Sequence, residues 1–135
     1  MSQGLLLLLD VAFILHIFTS ARELPDRVAF HFQFNSEADG WISRRTYVAI
    51  LVAMGPGLSL AWLGLIFTFR QSPLQAVAEH IGWAGCLLLA FVFGAHWLTV
   101  KANQAADSKL RMPFFWCSFF VLQVGLVIWV ITWPK

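Results

Sequence analysis

The sequence predicts an all-α membrane protein, a four-helix transmembrane bundle with a short strand and turn in its first loop. Hydrophobic residues make up 59% of the 135 residues and charged residues only 12%, and so small a soluble domain cannot bury that much apolar surface. The apolar residues fall into four runs, each close to the roughly 20 residues that cross a bilayer as a helix. No run has the alternating pattern of a membrane barrel, so all four are predicted to be helices.

The four helices form one predicted domain, 1–135, and their bounds are 4–20, 47–69, 73–101 and 113–133. No basic region precedes the first run, which favours a retained helix over a signal peptide. Gly55-Pro56-Gly57 predicts a kink in the second helix. Ser72 and Pro73 predict the capped start of the third.

The distribution of basic residues predicts the orientation in the membrane. Seven of the nine Lys and Arg residues lie in the first and third loops: Arg22, Arg27, Arg44, Arg45, Lys101, Lys109 and Arg111. Because basic loops stay in the cytoplasm, both termini are predicted on the outer side. The net charge of +2 is too small and too scattered for a nucleic-acid surface, so no nucleic acid is expected as a partner.

The first loop, residues 22–45, is named the strap. Apolar side chains alternate with smaller or polar ones in its first half, at Val28, Phe30, Phe32 and Phe34. This period of two predicts a half-buried strand, docked by its phenylalanines on helix ends or lipid. Asn35-Ser36 and Asp39-Gly40 are predicted turns. Because a lone strand leaves backbone groups unpaired, it is predicted to pair within the strap or with another chain.

The strap also carries a spaced motif that resembles a known family. Its segments are Leu24-Pro25-Asp26-Arg27-Val28, His31-Phe32, Asn35, Glu37-Ala38-Asp39-Gly40-Trp41 and Ser43-Arg44, with His96 and Ala102-Asn103 in the third helix. Together they resemble the domain-of-unknown-function family 1648, bacterial membrane proteins whose domain also occurs in SdpI-like immunity proteins. Ser36 stands where the family usually has glycine, and Ala29 where it often has proline. The resemblance implies a multi-pass protein of the bacterial cytoplasmic (inner) membrane.

Three polar residues fall inside predicted spans: Asp10, His16 and His96. A charge near the bilayer centre costs about 2.5–3.5 kcal/mol. Asp10 is therefore predicted to face the bundle interior or a partner, or to be protonated. His16 and His96 are predicted to lie at similar depth. Facing histidines can hold haem b or a metal ion, but structural histidines are the preferred interpretation. No cofactor is predicted, with haem or metal at these histidines as the alternative.

The function predicted from the sequence is that of a non-enzymatic accessory subunit or partner-recognition protein in a larger membrane complex. Its partners are the lipid bilayer and another membrane protein, and a homo-oligomer is left open. The predicted partner-binding residues are His31, Asn35, Glu37, Asp39 and Trp41. The predicted structural residues are Leu24, Pro25, Gly40, Phe30, Phe32 and Phe34. The alternatives are an SdpI-like protective factor, a strap that only caps the bundle, and, less favoured, transport.

Overall fold

The computed structural model describes residues 2–33, 35–71, 75–105, 109 and 112–132. Within them lie four helices and two strands, in the order α1 (Ser2–Ser20), β1 (Arg27–Phe32), β2 (Ala38–Ser43), α2 (Arg44–Arg70), α3 (Gln75–Gln104) and α4 (Met112–Ile131). The predicted set of four helices with a strand in the first loop is confirmed. Of these helices α1, α2 and α3 are long and apolar enough to cross a membrane.

The start of α2 differs from its prediction because a serine caps it. The Ser43 side chain accepts a hydrogen bond from the Thr46 backbone N–H at 3.1 Å, so the helix begins at Arg44, three residues before the apolar run. The helix continues through Pro56. The predicted cap at Ser72 and Pro73 lies outside the described residues.

The core is formed by α1, α2 and α3, which pack on one another. The side of α1 that faces the core is spaced by three or four residues, at Leu6, Asp10, Phe13, Ile17 and Ser20. On α2 the corresponding stripe repeats every four residues, at Tyr47, Leu51, Gly55 and Ser59. A Cβ at Gly55 would lie only 3.0 Å from atoms of Asp10 and Phe13, so glycine permits the two helices to approach closely.

The fourth helix is attached to one neighbour. Among the described elements, α4 contacts α3 alone, through the stacking of Phe115 and Phe119 on Phe91 and a hydrogen bond from Trp129 Nε1 to the His80 carbonyl. The four predicted helices are therefore arranged as a three-helix core with α4 on its flank. Because α4 is apolar on all sides, it has no polar face to turn away from the core.

The two strands form an antiparallel hairpin, so the strand predicted at Val28 finds its partner within the strap. Irregular register on both sides of His31 breaks the predicted alternation. Val28 and Ala29 are both buried, whereas Phe30 is 48% exposed. Phe30 therefore does not dock on the helix ends, and its predicted contact with lipid stays a prediction.

The remaining strap predictions have mixed outcomes. Phe32 packs against Leu98 and Ala102 near the end of α3, as predicted. Phe34 lies outside the described residues. The predicted turn at Asp39-Gly40 is wrong, because both residues belong to β2.

Candidate functional site

One side chain of α3, Asn103, binds the backbone of β1. The Asn103 amide donates to the Ala29 carbonyl at 2.9 Å and accepts from the Ala29 N–H at 2.8 Å. Since both Ala29 backbone groups point to Asn103, they point away from β2, and Asn103 occupies the outer edge of β1 as a third strand would. The edge groups of a buried residue are thereby satisfied.

A second set of hydrogen bonds joins the beginning of the strap to the first residue of α2. The Arg44 guanidinium donates to the Leu24 carbonyl and to the Asp26 carboxylate, each at 3.0 Å, and the Arg44 N–H bonds the Asp26 carbonyl. Leu24 is buried with Val28 in the helical core, while Pro25 between Leu24 and Asp26 is exposed. The side of the strap that faces the helices is therefore buried in the helical core.

The outer side of the hairpin carries three of the predicted partner-binding residues. Asp39 and Trp41 alternate with inward residues on β2, and His31 joins them from β1, with its Nδ1 at 2.5 Å from the Asp39 carboxylate. This hydrogen bond holds the pKa of Asp39 below its ordinary 3.8. Gly40 lies opposite His31 in the register, and a Cβ there would lie 2.6 Å from the His31 Cβ. Glycine is therefore required at position 40, because the two strands lie too close together there for a Cβ.

The turn between the strands is made by the other two predicted residues. Asn35 accepts from the Glu37 N–H and donates to the Glu37 carboxylate, both at 3.0 Å. Ser36 adopts a φ of 73°, a left-handed conformation that disfavours residues with a Cβ by about 1–2 kcal/mol. All five predicted partner-binding residues are exposed, but Asn35 and Glu37 are bonded to each other.

Beneath the strap, a buried polar network joins the three core helices. Ser20 Oγ donates to the His16 carbonyl at 2.7 Å, so it accepts at 3.2 Å from His96 Nε2. The proton of neutral His96 is thereby placed on Nε2, which leaves Nδ1 to accept from the Tyr47 hydroxyl at 2.9 Å. In this arrangement His96 donates to Ser20 and does not serve as its base. The network instead ties α1, α2 and α3 together.

His16 and His96 come together at the same depth, as predicted. Their rings are in edge-to-face contact, with centroids 5.2 Å apart. The axial ligands of one haem lie on opposite faces of the macrocycle, whereas these rings touch and both nitrogens of His96 are bonded within the protein. No group of three His, Cys, Asp or Glu side chains suited to a metal ion lies among the described residues. This geometry lends the haem and metal alternatives no support.

Deeper in the core, several buried polar atoms are unpaired. Asp10 faces the interior, as predicted, and is 8% exposed. Among the described residues, the unpaired buried atoms are Asp10 Oδ1, His16 Nδ1, Ser59 Oγ and Trp62 Nε1. Asp10 and Ser59 lie close enough to interact across α1 and α2, but Asp10 Oδ1 and Ser59 Oγ do not complete a well-aligned hydrogen bond.

Two residues of the site, Ser20 and Tyr47, were given no role from the sequence alone, and the contacts of Arg44 and Asn103, which belong to the spaced motif, were not predicted. Tyr47 is the sole tyrosine, and Asn103 stands in the last turn of a long apolar helix. A polar side chain at the end of such a helix is a usable signal for a strap contact. Comparisons with protein families, curated proteins and solved structures return no match.

Proposed function

We propose that the chain is a non-enzymatic integral membrane protein whose strap recognises another membrane protein, as an accessory subunit of a larger complex. The observation that carries the proposal is the division of the hairpin into two sides. The inner side and the edge of β1 are occupied by the helical core and by Asn103. The outer side presents His31, Asp39 and Trp41 on a backbone that is already fixed, so little conformational entropy is lost when a partner binds.

The chemistry of the outer side favours a protein partner over a purely structural cap. Trp41 is 40% exposed beside a paired histidine and carboxylate, and tryptophan is enriched at the centres of protein interfaces. A hairpin that only capped the helices would need particular residues on its inner side alone. The edge of β2 is also paired with no other strand in the part of the chain that is described, so a partner strand can add to it.

Placement in a membrane is part of the same proposal. It is supported by three helices of sufficient length and apolarity and by the exposed apolar surface of α4, which lipid would cover. The basic residues of the strap and of the end of α3 lie at one end of the core. With the positive-inside rule, that end faces the cytoplasm and both chain ends face outward.

Membership of family 1648 is also a proposal, and one backbone angle supports it. The position where that family usually has glycine is Ser36, the one described non-glycine residue with positive φ. A turn that demands this conformation explains why glycine is usual there. The family's membrane residence would then extend to this chain.

The proposal is tested by purification from membranes of the native host in mild detergent, with mass spectrometry of the proteins that co-purify. Two variants are tested. The first carries Glu37→Ala and Asp39→Ala, and the second carries Trp41→Ala alone. We expect a stoichiometric partner with the unaltered chain and its loss with both variants. The double variant should keep the melting temperature of the unaltered chain, because exposed pairs contribute little to stability.

The matched control is Trp83→Ala, which removes an equally exposed tryptophan from α3, and it should retain the partner. A large loss of stability in the double variant would favour the interpretation of the strap as a cap. Purification of the unaltered chain without any partner would contradict the proposal.

A further inference from the structure

An open groove lies between the end of α1 and the start of α2, beside the strap. Its volume is about 740 Å³, within the range of about 300–1,000 Å³ that is typical of small-molecule sites. The wall is mainly apolar and includes Phe18, Val48 and Val52, and arginines from both helix ends line the same groove. An elongated apolar ligand with an anionic end fits this combination.

The three arginines of the groove differ in their partners. Arg44 is committed to the strap, since its guanidinium bonds Leu24 and Asp26. Arg22 and Arg45 are exposed, and neither has an acidic or hydrogen-bonding partner among the described residues. Two guanidinium groups therefore border an apolar groove without a counter-charge from the described residues. A phosphate can accept hydrogen bonds from both.

We propose that this groove is a binding site for an anionic phospholipid, with an acyl chain on the apolar wall and the phosphate between Arg22 and Arg45. The inference rests on the proposed membrane placement, which puts this end of the core at the cytoplasmic leaflet, where anionic lipids attract basic residues. The apolar wall selects a lipid over a soluble phosphate. Charge selects an anionic headgroup over a zwitterionic one.

The test is native mass spectrometry of the purified full chain, titrated with phosphatidylglycerol and, separately, with phosphatidylcholine. We expect phosphatidylglycerol to bind at least tenfold more tightly. Since each basic residue near a membrane surface contributes about 1 kcal/mol, roughly fivefold in affinity, the Arg22→Gln/Arg45→Gln variant should lose this preference. Arg70→Gln, at the far end of α2, is the control and should retain it.

A second variant keeps the arginines and obstructs the groove. Ala49 is an exposed residue of its wall, and Ala49→Trp should weaken phosphatidylglycerol binding although the charge is unchanged. Glycerol phosphate, which has the headgroup chemistry without acyl chains, should not compete. Equal affinity for the two lipids, an unchanged arginine variant, or effective competition by glycerol phosphate would overturn the proposal.

Insertion is measured on the same preparation, by resistance to alkaline extraction from liposomes. A chain that is extracted contradicts the membrane placement and the lipid site together. A chain that resists extraction and shows no preference for phosphatidylglycerol contradicts the lipid site alone. Neither result depends on a protein partner.

Discussion

The strap end of the helical core and the middle of the same core treat buried polar groups differently. At the strap end, His96, Tyr47 and Ser20 form one chain of hydrogen bonds, and Asn103 satisfies the buried backbone of Ala29, so that among the described residues only His16 Nδ1 is left unpaired there. In the middle, Asp10 and Ser59 lie close to each other, but neither Asp10 Oδ1 nor Ser59 Oγ completes a well-aligned hydrogen bond among the described residues. The first arrangement stabilises a particular packing of helices and strap, whereas the second leaves buried polar groups poorly paired, which costs stability.

The largest expected effect is that of Asn103→Ala. It leaves the buried N–H and C=O of Ala29 without partners, and each such group costs about 1–3 kcal/mol. We expect the free energy of unfolding to fall by about 2–4 kcal/mol, measured by denaturation in detergent micelles. The adjacent Gln104→Ala removes an exposed side chain that bonds Glu23, and it should change stability by less than about 0.5 kcal/mol. Equal effects of the two variants would contradict the role of Asn103.

A smaller loss is expected for Tyr47→Phe. The change removes the hydroxyl that donates to His96 Nδ1 and leaves that buried nitrogen unpaired, so the free energy of unfolding should fall by about 1–2 kcal/mol. Thr19→Ala is the control, because the Thr19 hydroxyl is exposed and bonds only carbonyls of its own helix. If neither variant changes the free energy of unfolding, the network does not contribute to stability.

The middle of the core should respond in the opposite direction. Asp10→Leu keeps the branched shape and removes the unpaired oxygen, and Ser59→Ala removes the second one. Each should raise the free energy of unfolding by about 1 kcal/mol in the same denaturation assay. A decrease in both would show that these groups are satisfied, by each other or by something outside the described residues, and would contradict the contrast between the two regions.

The smallest effect concerns the outer side of the strap and its pH dependence. The His31 hydrogen bond lowers the pKa of Asp39, so ionised Asp39 stabilises the hairpin above pH 3.8, and this contribution is lost as the pH falls through the lower value in the folded chain. An NMR titration of the Asp39 carboxyl carbon should give a midpoint below 3.8. With His31→Ala the midpoint should rise toward 3.8, and no movement would contradict the pairing.

The sequence was sufficient to predict the number of helices and the location of the strap, because hydropathy over 20 residues and a period of two are local signals. It also predicted His16 and His96 at similar depth, since both lie near the same end of their predicted spans, and the structure brings their rings into contact. Phe30 was predicted on the wrong side of the strand, because the irregular register around His31 depends on close packing against Gly40. Local alternation does not report such a bulge.

Tertiary contacts account for the other errors. The attachment of α4 to α3 alone could not be predicted, because an apolar helix carries no stripe that identifies its neighbours. Asp39-Gly40 has the composition of a turn, yet the turn was formed at Ser36 and Gly40 was needed for the opposite strand. The clamp from Asn103 joins residues that are 74 positions apart, beyond the reach of any local pattern.

The placement of Asn103 has a consequence for how copies of this chain can associate. The Asn103 amide blocks the addition of a strand at the outer edge of β1, because it already binds the N–H and C=O of Ala29 that such a strand would need. Two hairpins joined through β2 would have both outer strands terminated in this way. The hairpin can therefore support pairs of limited size, while unlimited growth into a fibre is blocked by one residue in each copy.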